Sequence, residues 1–178
     1  MTLLNILHFP DNKLRQKGAN IEIFDEKLKE IAQDMLQTMY EAKGIGLAAV
    51  QVNLPIRLIT IDVSEKRDQP LILVNPVIFK RDEKITFEEG CLSVPGFYEK
   101  VERYNKIDYS FFDIDGVEHI SNADGLLSVC IQHEIDHLDG KLFVDYISNM
   151  KRDRIAKKIK KHELQGTVEQ RKKVPYSI

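Results

Sequence analysis

The spacing of apolar residues changes along the chain and divides it into helical and extended segments. From Asp25 to Lys43 they recur every three or four residues, which predicts an amphipathic helix capped by Asp25 and stopped by Gly44. The stretches 57–64 and 71–79 are rich in β-branched residues and predict strands. Residues 106–120, with Asp115-Gly116 at the turn, predict a β-hairpin.

The second half of the chain predicts two further helices. Residues 125–138, GLLSVCIQHEIDHL, are largely apolar and lie between a capping Asp124 and a terminating Gly140. From Met150 to about Leu164 the sequence is highly charged, with only a thin apolar stripe. Because strands and helices come in blocks, we expect an α+β fold. Its mixed or antiparallel strands would pack around the central buried helix, flanked by an N-terminal amphipathic and a C-terminal charged helix.

The length and composition are those of one domain. The chain has 178 residues, of which 43% are hydrophobic, enough for a single compact core. We expect this domain to cover residues 1–165 and the polar residues 166–178 to form a flexible basic tail. The sequence contains neither a signal peptide nor a run of roughly 18 apolar residues, so we expect a cytoplasmic protein without a membrane span.

Charge is distributed unevenly along the chain. From Lys151 onwards there are ten Lys and Arg residues against three acidic ones, whereas the preceding residues include 16 basic and 25 acidic ones. The basic segment either contacts an anionic partner or forms a solvated, lysine-rich helix. The acidic remainder is not typical of a protein that binds DNA specifically.

The predicted helix at 125–138 carries His133, Glu134 and His137. Four residues turn a helix by about 400°, so the two histidines project from nearly the same side, about 6 Å apart along the axis. One metal ion can therefore bridge them. Glu134 points about 100° away from His133 and can accept a proton from a water beside the metal. The spacing predicts a catalytic metal site.

A catalytic metal usually takes three protein ligands, so two histidines do not complete the site. The remaining candidates are His8, His119, His162, Cys91, Cys130 and the carboxylates. Cys130 is separated from His137 by about 10 Å of helical rise and is better interpreted as a small apolar residue beside the site. Cys91, in the loop FEEGCLSVPG, is either the third ligand or a buried structural cysteine.

A glycine-containing segment, GIGLAAVQV, covers residues 44–52. Gly44 and Gly46 would let the backbone approach a ligand closely, and Gln51 offers an uncharged amide donor. A helix end followed by a loop explains the pattern about as well. The cysteines, only Cys91 and Cys130, are more typical of thiols or ligands than of a disulfide in a reducing compartment.

Three segments resemble the signature motifs of the peptide deformylases, in the same order and at similar spacing. They are GIGLAAVQ (44–51), EEGCLSVPG (88–96) and QHEIDHLDG (132–140), and the likeness extends over nearly the whole chain up to the tail. The resemblance implies an enzyme that removes the formyl group from the N-terminal formyl-methionine of nascent proteins. It also implies Fe²⁺ as the native metal, which Zn²⁺, Ni²⁺ or Co²⁺ can replace, and a transient ribosome contact through the C-terminal helix.

The same resemblance implies a role for individual residues. Cys91, His133 and His137 would be the metal ligands and Glu134 the general acid and base. Gln51 and the backbone N–H of Leu92 would bind the formyl oxygen. Further residues would bind substrate, with an apolar pocket for methionine: Gly44, Ile45, Gly46, Glu89, Gly90, Leu126, Val129 and Cys130.

Two other functions fit the HExxH pattern without the resemblance. A zinc peptidase would take a third ligand downstream of the helix, where His162 is the only histidine. A binding module with a closed, four-ligand structural metal would give Glu134 no role.

Overall fold

The computed structural model describes residues 2–164, without the side chain of Glu163, and contains one five-stranded antiparallel sheet and three α-helices. The strands follow one another across the sheet in chain order. They are β1 (Gly46–Ala48), β2 (Leu58–Ile61), β3 (Leu71–Cys91), β4 (Val94–Phe112) and β5 (Glu118–Asp124). The helices are α1 (Glu26–Glu41), α2 (Gly125–Leu138) and α3 (Asn149–Leu164). The α+β prediction is confirmed; the tail predicted at 166–178 lies outside the described residues.

Helix α1 forms where the apolar spacing predicts it. The side chain of Asp25 accepts a hydrogen bond from the Leu28 N–H at 2.9 Å and caps the first turn. The helix ends at Glu41, slightly before the predicted boundary, and Lys43 adopts a positive φ of 57° beyond it. Its buried face packs on β1 and β2 and consists of Leu28, Ala32, Met35 and Met39.

Strands β3 and β4 form a hairpin far longer than the sequence predicts. The sequence predicts a strand over residues 71–79, whereas β3 continues through a highly charged stretch to Cys91. Several of those charges pair with complementary ones on β4: Lys80 lies opposite Asp108, and the Lys84 Nζ reaches the Glu102 carboxylate diagonally at 2.7 Å. Cross-strand pairing thus compensates for weak strand propensity. The prediction that the Cys91 motif forms a tight loop is therefore wrong for Gly90, which pairs with Tyr98 inside the sheet.

Helix α2 has the predicted bounds and packs on β4 and β1. Asp124 occupies the capping position, but its side chain makes no capping hydrogen bond, contrary to the prediction. Gly140, past the end, has a φ of +74° and lies against the Arg15 carbonyl, which explains the glycine there. The hairpin predicted at 106–120 is confirmed as the pairing of β4 with β5.

Helix α3 packs through its thin apolar stripe. Ile155 and Ile159 are buried in a cluster with Phe9, Val94 and Cys91, so this helix supports the back of the Cys91 turn. Arg154, Lys157 and Lys161 are exposed, whereas the Lys158 Nζ lies 5.9 Å from the centre of the Phe97 ring beside that cluster. Among residues 2–164, no helix is long and apolar enough to span a bilayer.

Candidate metal centre

Three buried side chains converge where the end of β3 meets α2. The Nε2 atoms of His133 and His137 lie 3.2 Å apart, and the Cys91 Sγ lies 3.2 Å from the His137 Nε2. All three ligand atoms are within 4.8 Å of one another. One thiolate and two imidazoles at these separations fit a transition-metal ion, so the donor set suits iron, zinc, nickel or cobalt.

Burial keeps the second histidine in the form that a metal requires. Desolvation, followed by the positive charge of nearby groups, holds the pKa of His137 well below its ordinary value. The ring is therefore neutral and its Nε2 can carry a free lone pair. The Ser93 N–H donates to the Cys91 Sγ at 3.3 Å, a contact that favours the thiolate.

The first histidine is oriented by a buried carboxylate on β3. The His133 Nδ1 lies 2.8 Å from the Glu89 Oε2, so an ionised Glu89 accepts the Nδ1 proton and leaves the Nε2 lone pair directed at the centre. Arg103 donates to both oxygens of Glu89, at 2.5 and 3.0 Å. Burial alone would raise the Glu89 pKa, but the hydrogen bonds from His133 and Arg103 lower it to about 2. Glu89 is thus a permanent carboxylate.

Arg103 connects this carboxylate to a second acid on α2. Its Nη1 donates to the Asp136 Oδ2 at 2.6 Å, and Asp136 also accepts from the Tyr146 hydroxyl at 2.8 Å. The guanidinium lies 4.9 Å from the centre of the Tyr146 ring. The His133 ring is therefore held by a chain of polar contacts that reaches the surface.

Glu134 has the opposite environment. It is fully buried, and neither carboxylate oxygen has a hydrogen-bond partner among the described residues. Desolvation, reinforced by the negative charge of Glu89, raises its pKa well above the ordinary value. A Cβ on Gly46 would collide with the Glu134 Oε1 and lie 2.8 Å from the Cys130 Sγ, so only glycine fits beside this carboxylate. The arrangement places a carboxyl group that can exchange a proton beside the three candidate ligands.

The side-chain amide of Gln51 lies at the same centre. Its Oε1 accepts from the Ala48 N–H at 2.7 Å, and its Nε2 donates to the Ser93 Oγ at 3.1 Å. The Nε2 also lies 3.6 Å from the Cys91 Sγ. Leu92, the next predicted oxyanion residue, is buried at the turn that follows Cys91.

The predicted substrate residues lie on two sides of Glu134. Ile45, Val129 and Cys130 are buried in one apolar cluster, and Leu126 packs against it from a partly exposed position. Burial, and then the charge of Glu134, raises the Cys130 pKa well above normal, so its thiol is protonated as an apolar wall residue would be.

The remaining predicted residues contact protein atoms at short range. Gly44 lies against the Leu92 side chain and Gly90 beneath the Tyr98 ring, so each glycine is explained by packing. Glu89 uses both oxygens on Arg103 and His133. Glu89, which the resemblance places among the substrate-binding residues, therefore supports the candidate metal ligand His133.

The other candidate ligands are not part of the cluster. His119 lies on β5 with its Nε2 2.7 Å from Asp113 and its ring against Phe111. His162 lies near the end of α3, and neither residue belongs to the described group of possible metal ligands.

Sequence reasoning missed Arg103, Asp136 and Ser93, since nothing in the local sequence distinguishes them from surface polar residues.

Comparison with known proteins agrees with this geometry. The family model described as polypeptide deformylase matches residues 3–153. The chain belongs to that family. It is 52% identical to peptide deformylase 1 of Pseudomonas syringae pv. tomato, covering 92% of this chain and 99% of that one. A peptide deformylase of Teredinibacter turnerae is 54% identical, over 90% and 96%.

Solved structures of the family share the fold. The crystal structure of a peptide deformylase from Legionella pneumophila superposes with a TM-score of 0.89 at 40% identity, covering 95% of this chain and 100% of that one. A peptide deformylase from Ehrlichia chaffeensis in complex with actinonin gives a TM-score of 0.88 at 38% identity, over 92% and 99%.

Proposed function

We propose that the protein is a metal-dependent hydrolase that removes the formyl group from the N-terminal formyl-methionine of nascent polypeptides and releases formate. The observation that carries the proposal is the convergence of Cys91, His133 and His137 beside the unpartnered Glu134 carboxylate. Membership of the polypeptide deformylase family over most of the chain supports the same reaction.

The ligand set supports Fe²⁺ as the native ion, with Zn²⁺, Ni²⁺ or Co²⁺ as substitutes. Cys91 supplies a soft thiolate and the two histidines supply borderline imidazoles, a combination that these ions accept. When bound, such an ion supplies Lewis acidity and makes an adjacent water more acidic. The three protein ligands leave room for substrate or water, as a catalytic site requires.

Glu134 carries the proton through the reaction. Its carboxylate takes a proton from water, and the resulting hydroxide attacks the formyl carbon to give a tetrahedral oxyanion. The proton then passes from Glu134 to the amide nitrogen, the C–N bond breaks, and formate and the free amino terminus are released. A metal cation held by the neighbouring ligands would favour ionised Glu134 and offset the effect of burial on its pKa.

Gln51 and Leu92 stabilise the oxyanion. One Nε2 hydrogen of Gln51 already points to the Cys91 thiolate, which places a neutral donor at the edge of the centre. The Leu92 backbone N–H is carried by the same turn as Cys91. Donors fixed before the reaction stabilise developing charge without reorganisation.

The methionine side chain enters the apolar region beside Glu134. Ile45, Val129 and Cys130 form its buried walls, and Leu126 lies at its partly exposed edge. Gly46 lets the backbone of β1 lie against Glu134 and Cys130, so this apolar region directly borders the Glu134 carboxylate.

The basic outer face of α3 supports transient contact with the ribosome. Arg154, Lys157 and Lys161 are exposed at helical spacing, whereas Ile155 and Ile159 anchor the opposite face in the core. A cationic face of this kind suits the phosphates of ribosomal RNA. Since formylated nascent chains are made in the cytoplasm of bacteria, we place the enzyme there.

Charge reversal tests the ribosome contact better than deletion, because removing α3 would uncover the core. Ribosome binding by the Arg154→Glu, Lys157→Glu, Lys161→Glu variant should weaken and lose salt dependence in cosedimentation. The matched control reverses Lys66, Lys80 and Lys84, which lie away from α3. Equal loss of binding in both variants would show that net charge, and no α3 surface, mediates the contact.

Formate release tests the proposed reaction. Protein loaded anaerobically with Fe²⁺ should release formate from a formyl-Met tripeptide and be inactive on the matching acetyl-Met tripeptide. Actinonin should inhibit it, because a relative 38% identical to this chain was crystallised with that compound. Absence of formate from protein that holds one metal per chain would exclude the proposed function.

A further inference from the structure

The Gln51 amide is buried and restrained at both ends. The residue is 1% exposed, and its Oε1 is fixed by the Ala48 N–H. This contact decides which end of the amide is the nitrogen, since a flipped Gln51 would place an N–H against the Ala48 N–H. The Nε2 hydrogens then face Ser93 and Cys91.

Ser93 determines the direction of the hydrogen that remains. Its side chain is fully buried, and its Oγ accepts one Nε2 hydrogen at 3.1 Å. The amide group is planar, so fixing the oxygen and one hydrogen also fixes the other hydrogen, which lies toward the Cys91 Sγ. That Nε2–Sγ contact is 3.6 Å long and is therefore easily exchanged for a stronger acceptor.

An extended N-terminal segment that includes Leu7 and Phe9 holds the backbones of the same two residues. The Leu7 N–H donates to the Gln51 carbonyl and the Phe9 N–H to the Ser93 carbonyl, each at 2.8 Å. These two donors are two residues apart on one extended segment, so they keep the Gln51 and Ser93 loops at a fixed separation. The Ser93 hydroxyl thus faces Gln51 because of the fold.

We propose that Ser93 is a positioning residue, whose hydroxyl aims the Gln51 amide at the reacting centre and affects turnover through Gln51. This inference rests on the proposed deformylation. Removing an oxyanion donor outright typically lowers kcat by about 10²–10³-fold. If the donor is present but free to rotate, only part of its effect on kcat should be lost. We therefore expect Ser93→Ala to lower kcat about tenfold, with KM and metal content nearly unchanged.

A double-mutant cycle separates positioning from a general structural effect. If Ser93 acts through Gln51, Ser93→Ala should have no further effect on kcat in a Gln51→Ala background. Full additivity of the two losses would overturn the proposal. Thr60→Val, which removes another fully buried hydroxyl away from the centre, is the control and should leave kcat unchanged.

A second readout does not depend on turnover. In ¹⁵N-labelled, zinc-loaded protein, the Gln51 side-chain NH₂ signals can be assigned by their loss in Gln51→Ala. We expect them to exchange slowly with water in the wild type and at least tenfold faster in Ser93→Ala, but not in Thr60→Val. Unchanged exchange in Ser93→Ala would overturn the positioning role, whereas an inactive wild type with the expected exchange would overturn only the proposed function.

Discussion

Replacing Arg103 tests whether the polar network behind His133 stabilises the fold. In Arg103→Met the Glu89 carboxylate keeps its His133 contact but loses both donors from the guanidinium. The Arg103 and Glu89 side chains are 5% and 0% exposed, so water cannot replace those donors. Breaking a buried ion pair from one side costs about 3–5 kcal/mol of the free energy of unfolding.

The same β3–β4 hairpin supplies a control that isolates burial. Lys84 and Glu102 form an ion pair of similar length, but their side chains are 59% and 64% exposed. An exposed pair contributes about 0–1 kcal/mol, so Lys84→Met should be nearly neutral. For a chain of this size, a loss of about 3–5 kcal/mol corresponds to a Tm lower by about 6–20 °C for Arg103→Met.

Thermal and urea unfolding should be measured on chelator-treated protein as well as on the loaded enzyme. Metal binding stabilises the folded state by mass action, and a weakened site would otherwise add to the apparent loss. Adding Glu89→Gln to Arg103→Met should recover part of the stability, because the uncompensated charge is then removed. If Arg103→Met costs no more than Lys84→Met, the ion pair does not contribute as its burial indicates.

Three further predictions concern the centre directly. Glu134→Gln should retain metal but lower kcat by about 10²–10⁴-fold in the formate assay; near-normal turnover would exclude Glu134 as the general base. Cys91→Ala should abolish metal retention on gel filtration and His162→Ala should not, whereas the reverse would favour a peptidase-type site. Gly46→Ala should lower kcat by displacing the Glu134 carboxylate, and unchanged kinetics would show that the side chains can move aside without cost.

The sequence predicted local features well where one element determines them. The spacing of His133 and His137 on a capped apolar segment was sufficient to place both on one helix face, and Asp25 marked the start of α1. The residues around Cys91 do not distinguish a metal ligand from a buried structural cysteine. Its proximity to His137 depends on the long β3–β4 pairing. The charged residues between 80 and 88 are not typical of a strand, so the sequence does not predict that pairing.

The residues that support the candidate ligands also depend on long-range pairing, so the local sequence does not predict them. Arg103 follows an alternating, charged stretch of β4 and looks like another exposed side chain, yet its register opposite Ile85 places it beneath α2. Ser93 and Gln51 are 42 residues apart, and an extended N-terminal segment donates backbone hydrogen bonds to both residues. Tertiary pairing, rather than local propensity, selects these residues.

Two buried glutamates divide the chemistry of the centre between them. Glu89 has its charge satisfied by three hydrogen bonds from Arg103 and His133, so it cannot exchange a proton during turnover and serves to fix a ligand. Glu134 is equally buried but has no partner among the described residues, and its raised pKa reflects that isolation. An unsatisfied buried carboxylate costs stability, which a purely structural site would have no reason to retain. Opposite environments for two carboxylates around one candidate ligand set therefore favour the proposed proton transfer over a purely structural metal site.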